Sequence, residues 1–231
     1  MNEQKPISTF TLLLSAVAGF CDTATFVSGD SIFSAHVTGN FIVFAAQVIV
    51  GNDNNAWIKL LTFPVFVIAV IIGGWLAEKS SNKYFILLIE GILLLLCGIA
   101  TSLHSVLRAK TNTVLYCIVM MIVFAKGLQN AFGKLYAKET YGPTTMMTGN
   151  VTQASLDLGS LIRKGVVGEL SASLKKQLYL IGGFLLGCLF GALVSKAIGL
   201  MSVFIPAFIL MMCYFSMKKN QLSVDSLKFG I

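Results

Sequence analysis

Residues Ser34–Asn40 read SAHVTGN, and residues Thr144–Asn150 read TTMMTGN. Each Thr-Gly-Asn follows a long apolar stretch and heads a shorter segment, FIVFAAQVIV after Asn40 and VTQASLDLGSLI after Asn150. The match extends outward in both directions. Upstream, Gly19-Phe20-Cys21-Asp22 aligns with Gly127-Leu128-Gln129-Asn130. Downstream, Gly74-Trp75-Leu76-Ala77-Glu78-Lys79 aligns with Gly191-Ala192-Leu193-Val194-Ser195-Lys196. The order is the same both times: a long apolar segment, a short TGN-led one, then two long ones. This reads as an internal duplication, with repeats over about 8–102 and 113–217.

Composition says what the segments are made for. Of 231 residues, 56% are hydrophobic and 12% charged, against roughly a quarter charged in soluble domains. The mean hydropathy is +0.82. A soluble fold of this size has too little interior to hide so much apolar surface, so the chain is expected to be a single integral membrane domain, 1–231, with lipid as its solvent. Backbone groups in lipid must bond within their own element, which leaves helices or a closed barrel. The apolar runs are continuous rather than alternating, and helices follow. The expected fold class is all-α, a polytopic membrane helix bundle.

The apolar segments cover about 8–28, 41–50, 58–77, 84–102, 113–133, 146–162, 177–197 and 199–217. Pro206 in the last is expected to kink it. The second and sixth are short or polar for a crossing that needs roughly 20 apolar residues. Either all eight cross, or six full spans cross and the two TGN segments dip in and return. Basic residues favour the six-span count: with the N-terminus inside, only Lys59, Arg108, Lys110 and Lys196 then lie outside, as the positive-inside bias prefers. An odd number of spans per repeat makes the repeats inverted, an arrangement used by transporters with discontinuous segments near the midplane.

The candidate pathway follows from that geometry. Thr, Gly and Asn suit a capped helix start, which by itself asks for no function. Two such starts reaching in from opposite sides would also offer free N–H groups and positive dipole ends to a polar or anionic solute. The pathway residues are therefore expected to be Asp22, His36, Thr38, Gly39, Asn40, Asn130, Thr148, Gly149 and Asn150. Charge inside a span is costly and faces a cavity or a partner. Glu90, Lys126 and Asp157 are the charge partners within reach of such a site, and a structural Asp22–Lys126 pair is the plainer alternative. A shielded acid can also carry a proton, which makes Asp22 a candidate for proton coupling. Gly183, Gly187 and Gly191 form a side-chain-free helix face for close packing, within the chain or between two copies.

Other chemistries find no support. Cys21, Cys97, Cys117, Cys188 and Cys213 lie in apolar segments without a CxxC and read as reduced packing residues. His36 and His104 are too few and too far apart in sequence to suggest a metal cluster. No nucleotide-binding loop, HExxH or GxSxG is present. The expectation is no enzyme, no cofactor, no metal and no nucleic acid. The expected partners are the lipid bilayer, an unidentified small solute and, given the small bundle, a second copy in a homodimer.

Gly19-xx-Asp22 followed by Phe33-Ser-Ala-His-Val-Thr-Gly-Asn40 resembles the YoaK-like family of bacterial membrane proteins. The resemblance covers about residues 8–217 and implies a six-span protein of the bacterial inner membrane, with both termini expected in the cytoplasm. It implies no substrate or reaction.

Overall fold

The computed structural model describes residues 4–51, 55–106, 112–165 and 168–229. Arg108 and Lys110, counted above as outside charges, lie beyond those residues. The described chain is helical throughout: α1 (Gln4–Ser28), α2 (Gly39–Ile49), α3 (Ile58–Lys79), α4 (Phe85–Val106), α5 (Asn112–Leu135), α6 (Met147–Lys164), α7 (Gly168–Ile198), a 3-10 turn (Gly199–Val203) and α8 (Phe204–Phe229). Five stretches are long and apolar enough to cross a membrane, the last running from Gly168 to Lys219. Its 52 residues would make a rod about 78 Å long, more than twice the hydrocarbon thickness. The chain turns back instead at Gly199, whose φ of 63° is the left-handed conformation glycine adopts freely. That break makes two helices, α7 and α8, of one apolar stretch.

Contacts between helices give their directions. Gly183 sits against Leu12, Gly187 against Ala16 and Gly191 against Phe20, so α1 and α7 run parallel. Gly127 meets Phe66 and Ala69 while Gly73 meets Ala131, so α3 and α5 also run parallel. α4 opposes both its neighbours: Gly91 meets Ala207 and Met211 of α8 while Gly98 meets Phe204, and Glu90 meets Lys126 while Cys97 lies by the Ile118 carbonyl of α5. Finally, the rings of Phe10, Tyr84 and Phe132 bring the starts of α1 and α4 to the end of α5. Helices α1, α4 and α7 therefore run one way, and α3, α5 and α8 the other. The helices α5–α8 repeat the order of α1–α4 with every long helix reversed. This is the inverted one of the two arrangements the sequence leaves open.

The short helices fall into place from this. The end of α1 and the starts of α3 and α5 converge, because Lys59 and Tyr116 both reach Asp30. Helix α2 lies at that end and packs on α3 alone, with Phe41 beside Phe63 and Phe44 beside Trp57. Helix α6 lies at the opposite end and packs on α7 alone. The two ends differ in charge. The α6 end carries Lys79, Lys83, Lys134, Lys138, Arg163, Lys175, Lys176, Lys218 and Lys219, whereas the α2 end carries Lys59 and Lys196 among the described residues.

The core is apolar, built on Leu14, Leu87, Leu94, Ile122, Leu128, Phe132 and Leu210. The outside is apolar too: Ile68, Trp75, Leu189, Phe190, Leu193 and Met212 are exposed, the surface of a protein whose solvent is lipid. Two sequence expectations change. Helix α7 starts at Gly168 rather than near 177, its polar first turns extending past the apolar run. Pro206 stands at the start of a helix rather than inside one: it is the third residue of α8, directly after the 3-10 turn.

Candidate functional site

The two TGN asparagines do the same local job. Asn40 accepts from the Phe33 N–H at 2.8 Å and donates to the Phe33 carbonyl at 2.8 Å, and its amide also reaches Thr62 Oγ1 at 3.0 Å. Asn150 donates to the Pro143 carbonyl at 3.1 Å. In both repeats the partner stands seven residues back, so each asparagine ties off the loop that leads into its short helix. Thr38 makes no side-chain cap. Asn40→Ala removes the partner of the half-buried Phe33 N–H and carbonyl, while Thr62 Oγ1 keeps its bond to the Lys59 carbonyl, and it is expected to cost roughly 1–3 kcal/mol. Asn150→Ala is expected to cost less. Melting temperatures of the two purified variants check the order.

Asp22 holds the first loop from the other side. Its Oδ1 accepts from the Ala35 N–H at 2.7 Å and the His36 N–H at 3.1 Å. The second repeat achieves this with a different residue. Gln129, fully buried, donates to Thr144 Oγ1 at 3.0 Å and to the Leu14 carbonyl at 2.8 Å. Asn130, the partner of Asp22 in the sequence alignment, is half-buried one position along.

Lys126 pairs with Glu90 at 2.5 Å rather than with Asp22, and both side chains are 0% exposed. Its ammonium also donates to Gln129 Oε1 at 2.8 Å, and Cys21 lies against it. The pair joins α4 to α5, one helix from each repeat. A buried ion pair stands only where attraction and hydrogen bonds repay desolvation, and Gln129 supplies one of those bonds.

A charged latch closes each end of the bundle. At the α2 end, Asp30 Oδ2 takes Lys59 Nζ at 2.5 Å and the Tyr116 hydroxyl at 3.1 Å. At the α6 end, Glu139 takes Lys83, and the Tyr84 hydroxyl at 2.7 Å. Burial and the Glu139 carboxylate push the Tyr84 phenol upward, so it stays a donor. Both acids sit just after the first helix of their repeat; Asp30 takes its lysine and tyrosine from the starts of α3 and α5, and Glu139 takes both from the two residues before α4. Asp30 and Ser31 hold φ values of 62° and 55°, a left-handed backbone that costs non-glycine residues energy and gathers at switch regions.

The remaining predicted residues lie at the edges of this frame. His36 is exposed, its ring tilted 5.8 Å from Phe33. Thr38, Thr148 and Gly149 are exposed, and Gly39 is buried against the Phe33 and His36 rings. Asp157 accepts from Gln153 on its own helix at 2.7 Å. Helices α2 and α6 do not touch, so Asn40 and Asn150 serve two separate loops. Gly183, Gly187 and Gly191 all face α1 inside the chain.

Sequence reasoning missed Gln129 and both latches. Lys59 flanks an apolar segment in the sequence, yet its side chain is wholly buried. The available signal was an acid at matching places in the two repeats, Asp30 and Glu139, in segments passed over as connecting loops.

The profile of the family described as "Protein of unknown function (DUF1275)" matches residues 10–216. The chain belongs to that family. No curated protein and no solved structure matches it.

Proposed function

We propose that this member of the DUF1275 family is a small-solute transporter working by alternating access. It would sit in a bacterial inner membrane with the lysine-rich α6 end, and both termini, in the cytoplasm. The positive-inside bias supports that orientation. One observation carries the transport reading: two acid–lysine–tyrosine latches close opposite ends of an inverted bundle, with the Glu90–Lys126 pair buried between them. A scaffold has no need of matched charged closures. A carrier does, because each end must open while the other stays shut. Asp22 and Gln129 then link each gate loop to the centre, and the loops headed by Asn40 and Asn150 are the moving parts.

The test needs no substrate. Ala35 and Thr145 are both 6% exposed and stand in the loops between each latch acid and its short helix. In a background lacking native cysteines, a single cysteine replaces one or the other. Labelling by a membrane-impermeant maleimide is then followed in right-side-out and inverted vesicles. Asp30→Asn is expected to raise labelling at position 35 several-fold and lower it at 145. Glu139→Gln is expected to do the reverse. Variants that each change only their own end would remove alternating access and leave a passive pore or a static bundle.

A further inference from the structure

A cavity of about 580 Å³ opens at the lysine-rich end. It lies where the start of α1, the loop after α5 and the lower half of α7 meet. Lys138, Lys175 and Lys176 line it, with Tyr141, Tyr179 and Thr140 among the remaining walls. The three lysines form no salt bridge among the described residues, and no acidic side chain lines the cavity. Lys176 Nζ stands 5.8 Å from the centre of the Tyr141 ring. That ring lies 6.1 Å from the ring of Tyr179. Lys83, at the same end, is paired with Glu139.

Three lysines lining one hollow without an acidic residue among its walls give it a positive field. Solvated lysines scattered on a surface would not need a cavity this large between them. Ammonium groups bind phosphate oxygens as point charges, and tyrosines at a membrane boundary give an apolar wall with a polar tip.

We infer that this cavity is a binding site for a phosphate group carried on a small polar body. The Lys138, Lys175 and Lys176 ammoniums would hold the phosphate oxygens, and the Tyr141 and Tyr179 rings would flank the body. Such a group can come from an anionic lipid headgroup or from a soluble phosphorylated metabolite. The site is independent of the transport reading, because it uses none of the residues of the latches or the buried pair.

The experiment uses the full chain in a neutral detergent. Short-chain phosphatidylglycerol, short-chain phosphatidylcholine and glycerol 3-phosphate are titrated in turn by calorimetry. The proteins compared are the wild type, the triple variant K138Q/K175Q/K176Q and the control K218Q/K219Q, which removes two lysines of the same end outside the cavity. The three lysines are exposed, and an unchanged melting temperature without ligand verifies that the triple variant folds. At roughly fivefold per lysine near a membrane surface, the triple variant is expected to bind at least tenfold more weakly. The control is expected to stay within about twofold. Binding of phosphatidylglycerol alone assigns a lipid headgroup, and comparable binding of glycerol 3-phosphate assigns a soluble ligand. No binding by either, equal binding of phosphatidylcholine, or an equal loss in the control would overturn the site.

Discussion

Gly187→Val is expected to abolish the folded bundle. A Cβ at that position would stand 2.0 Å from the Ala16 carbonyl oxygen and 2.7 Å from its carbon. The obstacle is backbone on both sides, so no side chain can swing away. Relief requires α1 and α7 to separate along a seam that also includes Gly183, Gly191 and Gly19, each with a backbone oxygen within 2.6 Å of its own added Cβ. Overpacking a core costs typically about 1–3 kcal/mol and more where nothing yields. We place this one at about 3 kcal/mol or above, enough to remove a marginally stable fold. Size-exclusion profiles and thermal melts in detergent would report it. Gly182→Val supplies the contrast, since nothing lies within 4 Å of its added Cβ. It is expected to melt within a degree or two of the wild type. A Gly187→Val protein that melts with the wild type would mean that α1 and α7 do not pack through this seam.

Lys126→Met should be nearly as damaging, for an electrostatic reason. It leaves the Glu90 carboxylate buried at 0% exposure without its cation. Breaking a buried pair by removing one partner costs about 3–5 kcal/mol. Gln129 Oε1 also loses a donor. Removing both charges is a different matter: Glu90→Leu with Lys126→Met is expected to recover most of the loss, because no unpaired charge remains. The double-mutant cycle then gives a coupling energy above about 1 kcal/mol. Additive losses would show that the two groups do not depend on one another. The double variant also separates stability from function. If it folds and the vesicle labelling no longer shifts between ends, the charge is part of the transport cycle. If the labelling still shifts, the pair is structural.

Most of the architecture was legible in the residues because lipid imposes simple rules. Continuous apolar runs gave the helices. The repeated Thr-Gly-Asn gave the duplication. Boundaries were less clear. Helix α7 continues through polar residues that the hydropathy of a span does not register, since its first turns lie beyond the apolar part. Pro206 falls near a helix start because the left-handed Gly199 ends α7 and a 3-10 turn leads into α8.

The candidate site was legible only in part. Asp22, Asn40 and Asn150 stand out as polar residues in apolar surroundings, and in the structure each is a helix residue hydrogen-bonded to a loop that leads into a short helix. Their partners could not be read, because a hydrogen bond such as Gln129 to the Leu14 carbonyl spans 115 positions of chain. The same holds for Asp30 and Tyr116, separated by 86.

The sequence by itself determined the solvent, the helical class, the duplicated order of segments and the charged end of the bundle. These follow from local quantities, the transfer cost of each residue into lipid and the bias of lysine toward one side of a membrane. Tertiary structure alone decided which charges pair, which helices run parallel, and that Gln129 rather than Asn130 serves the second repeat. Those depend on which distant segments meet, and a single shift along a helix turns a side chain by roughly 100°, enough to exchange a buried partner for an exposed one.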